Sequence, residues 1–280
     1  SIRDDVAEQE YFDLAAPYDA VARISGGGFF ASGVLVTPNK FLTAAHFTDG
    51  NEDGVSDAGL NYTINFGTDA ASPTHTLDSD DFSSVSIHPD WSTTNGDSTY
   101  DLSVITLNTA FTDIAPMQLS DQDPTDLIGT MVGYGRHGTG AEFSNDFDRR
   151  RRAAENIIDV FGDTVRTDFD SPEENTSTFG SAVPLALEGT TAGGDSGGPL
   201  LADFGNGQRI VGILNGGFNT FGEFSEYGDV SIWAPLTDAS SVTYLQSEGI
   251  GFAVIPEPAV GLLLASSLTL IALRRPRRFA

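Results

Sequence analysis

One serine lies between glycines in the stretch Gly193–Pro199, which reads Gly-Gly-Asp-Ser-Gly-Gly-Pro. Glycine adopts backbone conformations that a β-carbon forbids, so this stretch can form a tight turn that exposes the Ser196 hydroxyl beside backbone N–H groups. A nucleophilic oxygen next to N–H donors is what a tetrahedral intermediate requires. For this stretch taken alone, a glycine-rich surface turn without chemistry is the alternative interpretation.

Two further segments carry side chains that would complete a nucleophilic site. The string Thr-Ala-Ala-His ends at His46, just after an expected strand, and Asp101 opens the apolar, alternating segment Leu102–Leu107. A carboxylate entering a buried strand is costly unless it is hydrogen-bonded or paired, and an imidazole would be a suitable partner. Together with Ser196 these residues predict a triad of nucleophile, base and orienting acid.

Short strands separated by turn residues must position these groups, because no long segment shows a helical apolar period. Such a pattern favours an all-β sandwich or barrel. One short helix is expected over Ala239–Gln246, and the acidic, proline-containing segment Asp113–Asp126 is expected to connect two halves. The expected strands are Val21–Ile24, Phe29–Thr37, Asn61–Phe66, Ser84–His88, Leu102–Leu107, Thr130–Tyr134, Ile157–Phe161, Arg209–Leu214 and Val230–Ala234.

The composition limits the classes of partner. The chain has 280 residues, no cysteine and a formal net charge of −26. This charge argues against nucleic acid and anionic lipid surfaces as partners. The absence of cysteine excludes a disulfide framework and thiolate metal sites.

Three strings, each containing one triad residue, resemble those of the trypsin/chymotrypsin serine endopeptidases: Thr-Ala-Ala-His, Asp-Leu-Ser-Val-Ile-Thr-Leu and Gly-Asp-Ser-Gly-Gly-Pro. Further similarity lies in Ser86–Pro89, Gly133–Gly135 and Gly212–Leu214. The resemblance covers residues 21–250, after an N-terminal arm of residues 1–20. It implies two packed six-stranded antiparallel β-barrels, about residues 21–115 and 127–238, with the site in the cleft between them and a short helix after them.

The resemblance also implies the role of each residue in hydrolysis of a protein or peptide substrate. Ser196 would attack the scissile carbonyl, His46 would carry the proton and Asp101 would orient His46, with no cofactor required. The backbone N–H groups of Gly194 and Ser196 would bind the oxyanion. Two other classes stay open: a catalytically inactive binding module with the same fold, and an esterase with the same triad.

The resemblance also implies a set of substrate-binding residues. Thr190 would lie in the primary specificity pocket, and Asn215, Gly216 and Gly217 would form the edge that pairs with extended substrate. Asp229 has two interpretations: a pocket carboxylate that selects Arg or Lys side chains, or a solvated loop residue.

In many members of the family a newly formed N-terminus pairs with the aspartate that precedes the serine. The string at Arg23–Gly27 is similar to such a terminus, but Val21–Ile24 fits better as a strand. Asp195 therefore has three possible partners: an N-terminal group near Ser1 or Ile2, an arginine, or polar groups alone.

The acidic segment after His46 resembles the first nine positions of an EF-hand loop. Its candidate Ca²⁺ ligands are Asp49, Asn51, Asp53, Val55 and Asp57. Position twelve of the motif is Leu60 rather than glutamate, so a plain acidic loop is the alternative. A structural Ca²⁺ ion is thus a hypothesis here.

Two basic segments stand out in this acidic chain. Arg149–Arg152 is expected to be a solvated loop that pairs with Asp146 and Asp148, and a site of self-cleavage if the enzyme prefers basic residues.

Residues 254–280 combine Pro-Glu-Pro, the apolar run Ala259–Leu273 and four arginines, which resembles a PEP-CTERM sorting signal. This resemblance implies export to the cell surface of a Gram-negative bacterium, transient anchoring in the inner membrane and processing by an exosortase-type enzyme. A simple C-terminal membrane anchor is the alternative.

Overall fold

Two curled antiparallel sheets form the body of the protein, as seen in a computed structural model. The structure describes residues 1–57, 61–91, 98–142, 146–159, 162–173, 176–180, 182–219 and 224–253. The predicted all-β class with two antiparallel halves is confirmed.

The first sheet contains seven strands in the order β5-β4-β1-β2-β3-β7-β6. Its strands are β1 (Val21–Gly26), β2 (Phe29–Thr37), β3 (Lys40–Thr43), β4 (Thr63–Phe66), β5 (His75–Asp78), β6 (Phe82–Ile87) and β7 (Ser103–Leu107). Gly26 pairs with Phe29, so Gly27 and Gly28 alone form the hairpin loop. Both have positive φ, 59° and 88°, which a two-residue loop matched to the strand twist requires.

The second sheet contains six strands in the order β10-β13-β12-β11-β8-β9. Its strands are β8 (Ile128–Gly133), β9 (Arg152–Ile157), β10 (Val165–Asp168), β11 (Pro199–Asp203), β12 (Gln208–Phe218) and β13 (Val230–Pro235). A continuous apolar core joins the two sheets, since Val34 and Leu42 of the first belong to the same buried cluster as Val132 and Ile213 of the second. This shared core holds the two sheets in a fixed position relative to each other.

Three helices complete the described residues: α1 (Glu8–Ala15), α2 (Ala45–Thr48) and α3 (Ala239–Ser247). Helix α3, expected from the sequence, packs on the first sheet, where the Tyr244 hydroxyl donates to the Ser86 carbonyl oxygen at 2.7 Å. Within the described ranges, no helix has the length and apolar character needed to cross a membrane. The predicted sorting tail, residues 254–280, lies outside the described residues.

Two local predictions were only partly correct. Of the expected strand Ile157–Phe161, Ile157 is the last residue of β9, which begins at Arg152, and Ile158 and Asp159 follow the strand. Residues 160 and 161 lie outside the described residues.

The prediction of a solvated basic loop was wrong for Arg151, which is buried and whose guanidinium donates to the Val21 carbonyl oxygen at 3.3 Å and to Asp19 at 3.1 Å. Arg149 and Arg150 are exposed, and Arg152 pairs with Asp148 at 2.6 Å as expected. Self-cleavage in this run stays a prediction.

Candidate active site

His46 is positioned by the step from β3 into the short helix α2. Its ring Nδ1 lies 2.6 Å from Oδ2 of Asp101, and its backbone N–H donates to Oδ1 of the same carboxylate at 2.8 Å. Two contacts to one carboxylate fix both the backbone and the ring orientation of His46. The opposite ring nitrogen is therefore the one available for proton transfer.

Asp101 is fully buried and lies immediately before β7. A third hydrogen bond reaches its carboxylate from Asn215 Nδ2, at 2.7 Å from Oδ2. Asn215 was expected at the substrate-binding edge, and its side chain instead connects β12 to Asp101. No local sequence pattern indicates this role, because the two residues are far apart in the chain and meet only in the cleft.

Charge and burial act on the pKa of His46 in opposite directions. Burial lowers it, whereas the charge of Asp101 and its hydrogen bond raise it, and the result is a pKa above the ordinary 6.5. Because the carboxylate stabilises the protonated ring, His46 can accept a proton and retain it during a reaction.

The Ser196 turn packs directly on the segment that leads to His46. Gly197 has a φ of 78°, and a β-carbon there would lie 2.3 Å from Thr43 Oγ1 and 2.7 Å from the backbone N of Ala44. Ser196 is further tied to the first sheet, since its carbonyl oxygen accepts the Ser32 N–H at 2.8 Å. Only glycine permits this close approach, which brings the serine turn into the cleft beside His46.

No hydrogen bond joins the Ser196 hydroxyl to His46 among the described residues. In unliganded sites such contacts are commonly long and tighten when substrate binds. The N–H groups of Gly194 and Ser196 likewise donate to no acceptor in the described part of the chain. Two neighbouring donors beside a hydroxyl form the arrangement that stabilises an oxyanion.

Asp195 is half-buried, and its carboxylate is held mainly by backbone donors. Its carboxylate accepts the N–H of Gly135 at 2.7 Å and that of Ala192 at 3.0 Å. The nearby Ser1 ammonium donates to the Thr190 carbonyl oxygen at 2.6 Å. Burial raises the pKa of Asp195, and the Ser1 charge and the two N–H donors oppose that shift. Of the three possible partners, backbone N–H groups bind this carboxylate directly, while the Ser1 ammonium and Arg152 act on it through their charge.

The N-terminal residues are part of the second barrel rather than a free arm. The Ile2 N–H donates to the Gly138 carbonyl oxygen at 3.1 Å, and its carbonyl accepts the Gly140 N–H at 2.9 Å. Burial lowers the pKa of the Ser1 ammonium to about 6, while the charge of Asp195 acts in the other direction.

A cavity of about 710 Å³ opens beside Ser196 and is bounded by the residues before it and by β12. Thr190, Gly216, Gly217 and Asp229 all line it. Asp229 is 3% exposed, and its carboxylate accepts the Ser225 N–H at 2.6 Å. The interpretation of Asp229 as a solvated loop residue is therefore wrong. Gly216 and Gly217 place no side chain in this part of the lining, which leaves the entrance wide.

The acidic segment Asp49–Asp57 folds on its own backbone. The carboxylate of buried Asp49 accepts N–H groups of Asp53 at 3.1 Å and Gly54 at 2.9 Å, and Asp57 accepts that of Gly50 at 2.9 Å. Among the described residues, no group of three or more acidic or histidine side chains is arranged to hold a metal ion. The Ca²⁺ hypothesis stays a prediction.

Comparison with known proteins decides the family. The family model described as Trypsin matches residues 5–231. The chain belongs to the trypsin family. A curated relative, Trypsin from Saccharopolyspora erythraea, is 23% identical over 216 residues, which cover 72% of this chain and 81% of that protein.

Solved structures of trypsin-like proteases share the fold. Neuropsin, a serine protease of mouse brain, is similar with a TM-score of 0.61 at 18% identity, covering 89% of this chain and 99% of neuropsin. A Glu endopeptidase solved in complex with MPD has a TM-score of 0.56 at 18% identity, covering 84% and 92% of the two chains. In this trypsin-like fold His46, Asp101 and Ser196 come together from both barrels.

Proposed function

We propose that the protein is a serine endopeptidase that hydrolyses peptide bonds through an acyl-enzyme on Ser196. The observation that carries the proposal is the contact of Asp101 with both the ring and the backbone of His46 in the cleft that also holds Ser196. In a trypsin-like fold, a histidine oriented in this way serves as the general base.

The reaction would proceed in two steps. The Ser196 oxygen bonds to the scissile carbon as His46 takes the serine proton, and the N–H groups of Gly194 and Ser196 stabilise the oxyanion. The C–N bond then breaks as His46 gives that proton to the leaving amine. Water then attacks the ester carbon as His46 takes a proton from it, and the C–O bond to Ser196 breaks as His46 gives that proton to the serine oxygen, which releases the acid and the free serine.

The position of Asp229 supports a preference for Arg or Lys at the P1 position, the residue on the acyl side of the scissile bond. A carboxylate that is 3% exposed in the wall of this cavity would form a charge-assisted contact with a basic side chain that enters it. Thr190 contributes a neutral hydroxyl that lies 2.8 Å from the Ser231 hydroxyl, so Asp229 is the carboxylate among the described residues of the lining.

Cleavage of a peptide library would test both parts of the proposal. Wild type is expected to cleave after Arg or Lys at least about tenfold more efficiently than after neutral residues, and Asp229→Asn is expected to lose most of that ratio. Asp203→Asn, which removes an exposed carboxylate at a distant turn, should leave the ratio unchanged. A preference for acidic P1 residues would contradict the role of Asp229 and assign specificity to Arg136 at the cavity wall.

Matched peptide amides and esters would separate the competing classes. An endopeptidase hydrolyses both, an esterase only the ester, and an inactive binding module neither. The Ser196→Ala variant provides the background rate for each substrate and shows whether any hydrolysis depends on the triad.

We also propose export to the surface of a Gram-negative cell, on the strength of the PEP-CTERM-like tail alone. The apolar run would hold the protein transiently in the inner membrane until an exosortase-type enzyme processes the tail. Cell fractionation of the full chain and of a chain ending at Ile255 would test this. Equal release of both forms would contradict a sorting role.

A further inference from the structure

Two aromatic rings stack beside the active-site turn, and the guanidinium groups of three arginines lie over their faces. The rings of Phe30 and Phe147 lie 4.0 Å apart, centroid to centroid, at an interplanar angle of 25°. The Arg23 guanidinium lies 5.1 Å from the Phe30 centroid and 5.2 Å from that of Phe147. Arg136 lies 5.9 Å from Phe30, and Arg149 lies 6.0 Å from Phe147. Ring faces stabilise guanidinium groups at such distances and leave their N–H edges available to anions.

Two of these arginines, Arg23 and Arg149, lack a compensating carboxylate among the described residues. Arg3, Arg151 and Arg152 each form an ion pair, whereas Arg23 and Arg149 form none with any residue in the described ranges. Buried Arg23 Nε also has no hydrogen-bond partner there. Burial and the neighbouring Arg149 charge lower the pKa of Arg23. In a protein with a net charge of −26, two unpaired arginines side by side indicate a site for an external anion.

The stack lies against the turn that would bind the oxyanion. A β-carbon on Gly194 would be 2.0 Å from Cε2 of Phe30, and the Arg136 N–H donates to the Gly193 carbonyl oxygen at 2.9 Å. The large cavity and the β12 edge lie on the second-barrel side of Ser196. Arg136 also lines that cavity, whereas the two rings, Arg23 and Arg149 do not, so the stack extends beyond the cavity past Gly194.

We infer that Arg23, Arg149 and Arg136 on the Phe30–Phe147 stack form a subsite for a carboxylate side chain of the substrate, one or two residues beyond the scissile bond. The inference rests on the proposed peptidase function and names its substrate class: peptides with Asp or Glu at the P1′ or P2′ position. Arg149, exposed and with a φ of 65°, is held in place by Asp148, which accepts the N–H of Arg150 at 3.0 Å. Its guanidinium is thus presented from a fixed backbone.

Pairs of internally quenched peptides that differ only by Glu or Gln at P1′ or P2′ would test the subsite. We expect wild type to cleave one Glu peptide about five- to tenfold more efficiently than its Gln partner, as a partly exposed charge-assisted contact allows. Arg149→Gln should reduce that ratio, and Arg23→Gln with Arg149→Gln should bring it close to one. A fluorogenic substrate without residues beyond the scissile bond should be cleaved equally by all variants.

A charge-matched double variant, Arg166→Gln with Arg209→Gln, separates local binding from the loss of overall positive charge, and it should retain the wild-type ratio. Equal cleavage of Glu and Gln peptides by wild type at both positions would overturn the subsite. Retention of the preference in the Arg23/Arg149 double variant would overturn it as well.

Binding distinguishes failure of the subsite from failure of the peptidase function. Fluorescence anisotropy of the same peptides with Ser196→Ala should show the same Glu preference without turnover. If wild type hydrolyses nothing, the peptidase proposal fails, and the binding ratio still decides the subsite: a ratio above about five supports it and a ratio of one overturns it.

Discussion

Asp101 shows how much of the site depends on a single buried carboxylate. It accepts hydrogen bonds from the ring and the backbone of His46 and from the side chain of Asn215, and no part of it is exposed. A fully buried charge is stable only when its lone pairs are satisfied in this way. The same contacts hold His46 in one orientation and set its affinity for a proton.

The pH dependence of hydrolysis should report this coupling. Because His46 must be neutral to accept a proton, kcat/KM should rise with pH through a midpoint above 6.5, the ordinary histidine value. The Asp101→Asn variant lacks the negative charge that raises the pKa of His46, whereas burial still lowers that pKa. The midpoint should therefore fall below that of wild type, and the rate should drop sharply. Rate profiles of both proteins, with Asp203→Asn as the control, test this. An unchanged midpoint would contradict the coupling.

At the scale of elements, the turn at Asp195 and the turn after β11 share one feature: in each, an aspartate carboxylate accepts hydrogen bonds from two backbone N–H groups. Asp195 accepts N–H groups of Gly135 and Ala192, and exposed Asp203 accepts those of Gly205 and Gly207 at 2.7 and 2.9 Å. Only the first turn carries Ser196 and the oxyanion donors.

Replacing Asp195 with Asn should therefore cost activity. An amide offers one acceptor oxygen where the carboxylate offers two, so one backbone N–H loses its partner and the Ser196 turn shifts. We expect kcat/KM to fall about tenfold or more, with the circular dichroism spectrum of wild type retained. Asp203→Asn makes the same change away from the cleft and should keep full activity. Equal activity of the two variants would show that Asp195 does not hold the turn.

The Asp49–Asp57 segment gives a prediction that depends only on its sequence pattern. If its carboxylates bind Ca²⁺, adding the ion should raise the melting temperature, because a ligand that binds only the folded state stabilises it. Asp53→Asn, at an exposed position of the motif, should weaken this effect, and Asp203→Asn should not. Identical melting curves with Ca²⁺ and with EDTA would reject the EF-hand-like interpretation.

At the scale of the whole molecule, local strings predicted the triad and most strands, since each motif lies within a few residues. Contacts between residues that are far apart in the chain could not be predicted from these strings. The role of Asn215 and the burial of Arg151 and of Ser1 arise only when both barrels assemble. Strand β10 has the polar sequence Val-Arg-Thr-Asp and shows no apolar signal, although it pairs fully with β13.

The second barrel also contains buried acids that link folding to pH. Burial is the main cause that raises the pKa of Asp159, Asp170 and Glu188, each to about 7. The folded state thus binds more protons than the unfolded state between their ordinary values near 4 and about 7. Their contribution to stability is present at low pH and is lost as pH rises through about 7.

Thermal unfolding at about pH 5.5 and about pH 8 should show this loss. We expect a higher melting temperature at the lower pH, and a smaller difference in Asp170→Asn, because Oδ1 of Asp170 has no hydrogen-bond partner in the described chain. Asp203→Asn should not reduce the difference, since its carboxyl pKa is lowered by backbone N–H groups. A melting temperature that rises towards pH 8 would contradict the assignment of these acids.

The central claim is that Ser196 is a nucleophile activated by His46 in a folded trypsin-like cleft. Labelling with an organophosphonate that carries an arginine-like side chain tests it most directly, with mass spectrometry to locate the adduct. We predict one phosphonate per wild-type chain, on Ser196, with no labelling of Ser196→Ala and at least about hundredfold slower labelling of His46→Ala. A folded wild-type protein that acquires no label at Ser196, with that probe or with an uncharged one, would contradict the claim.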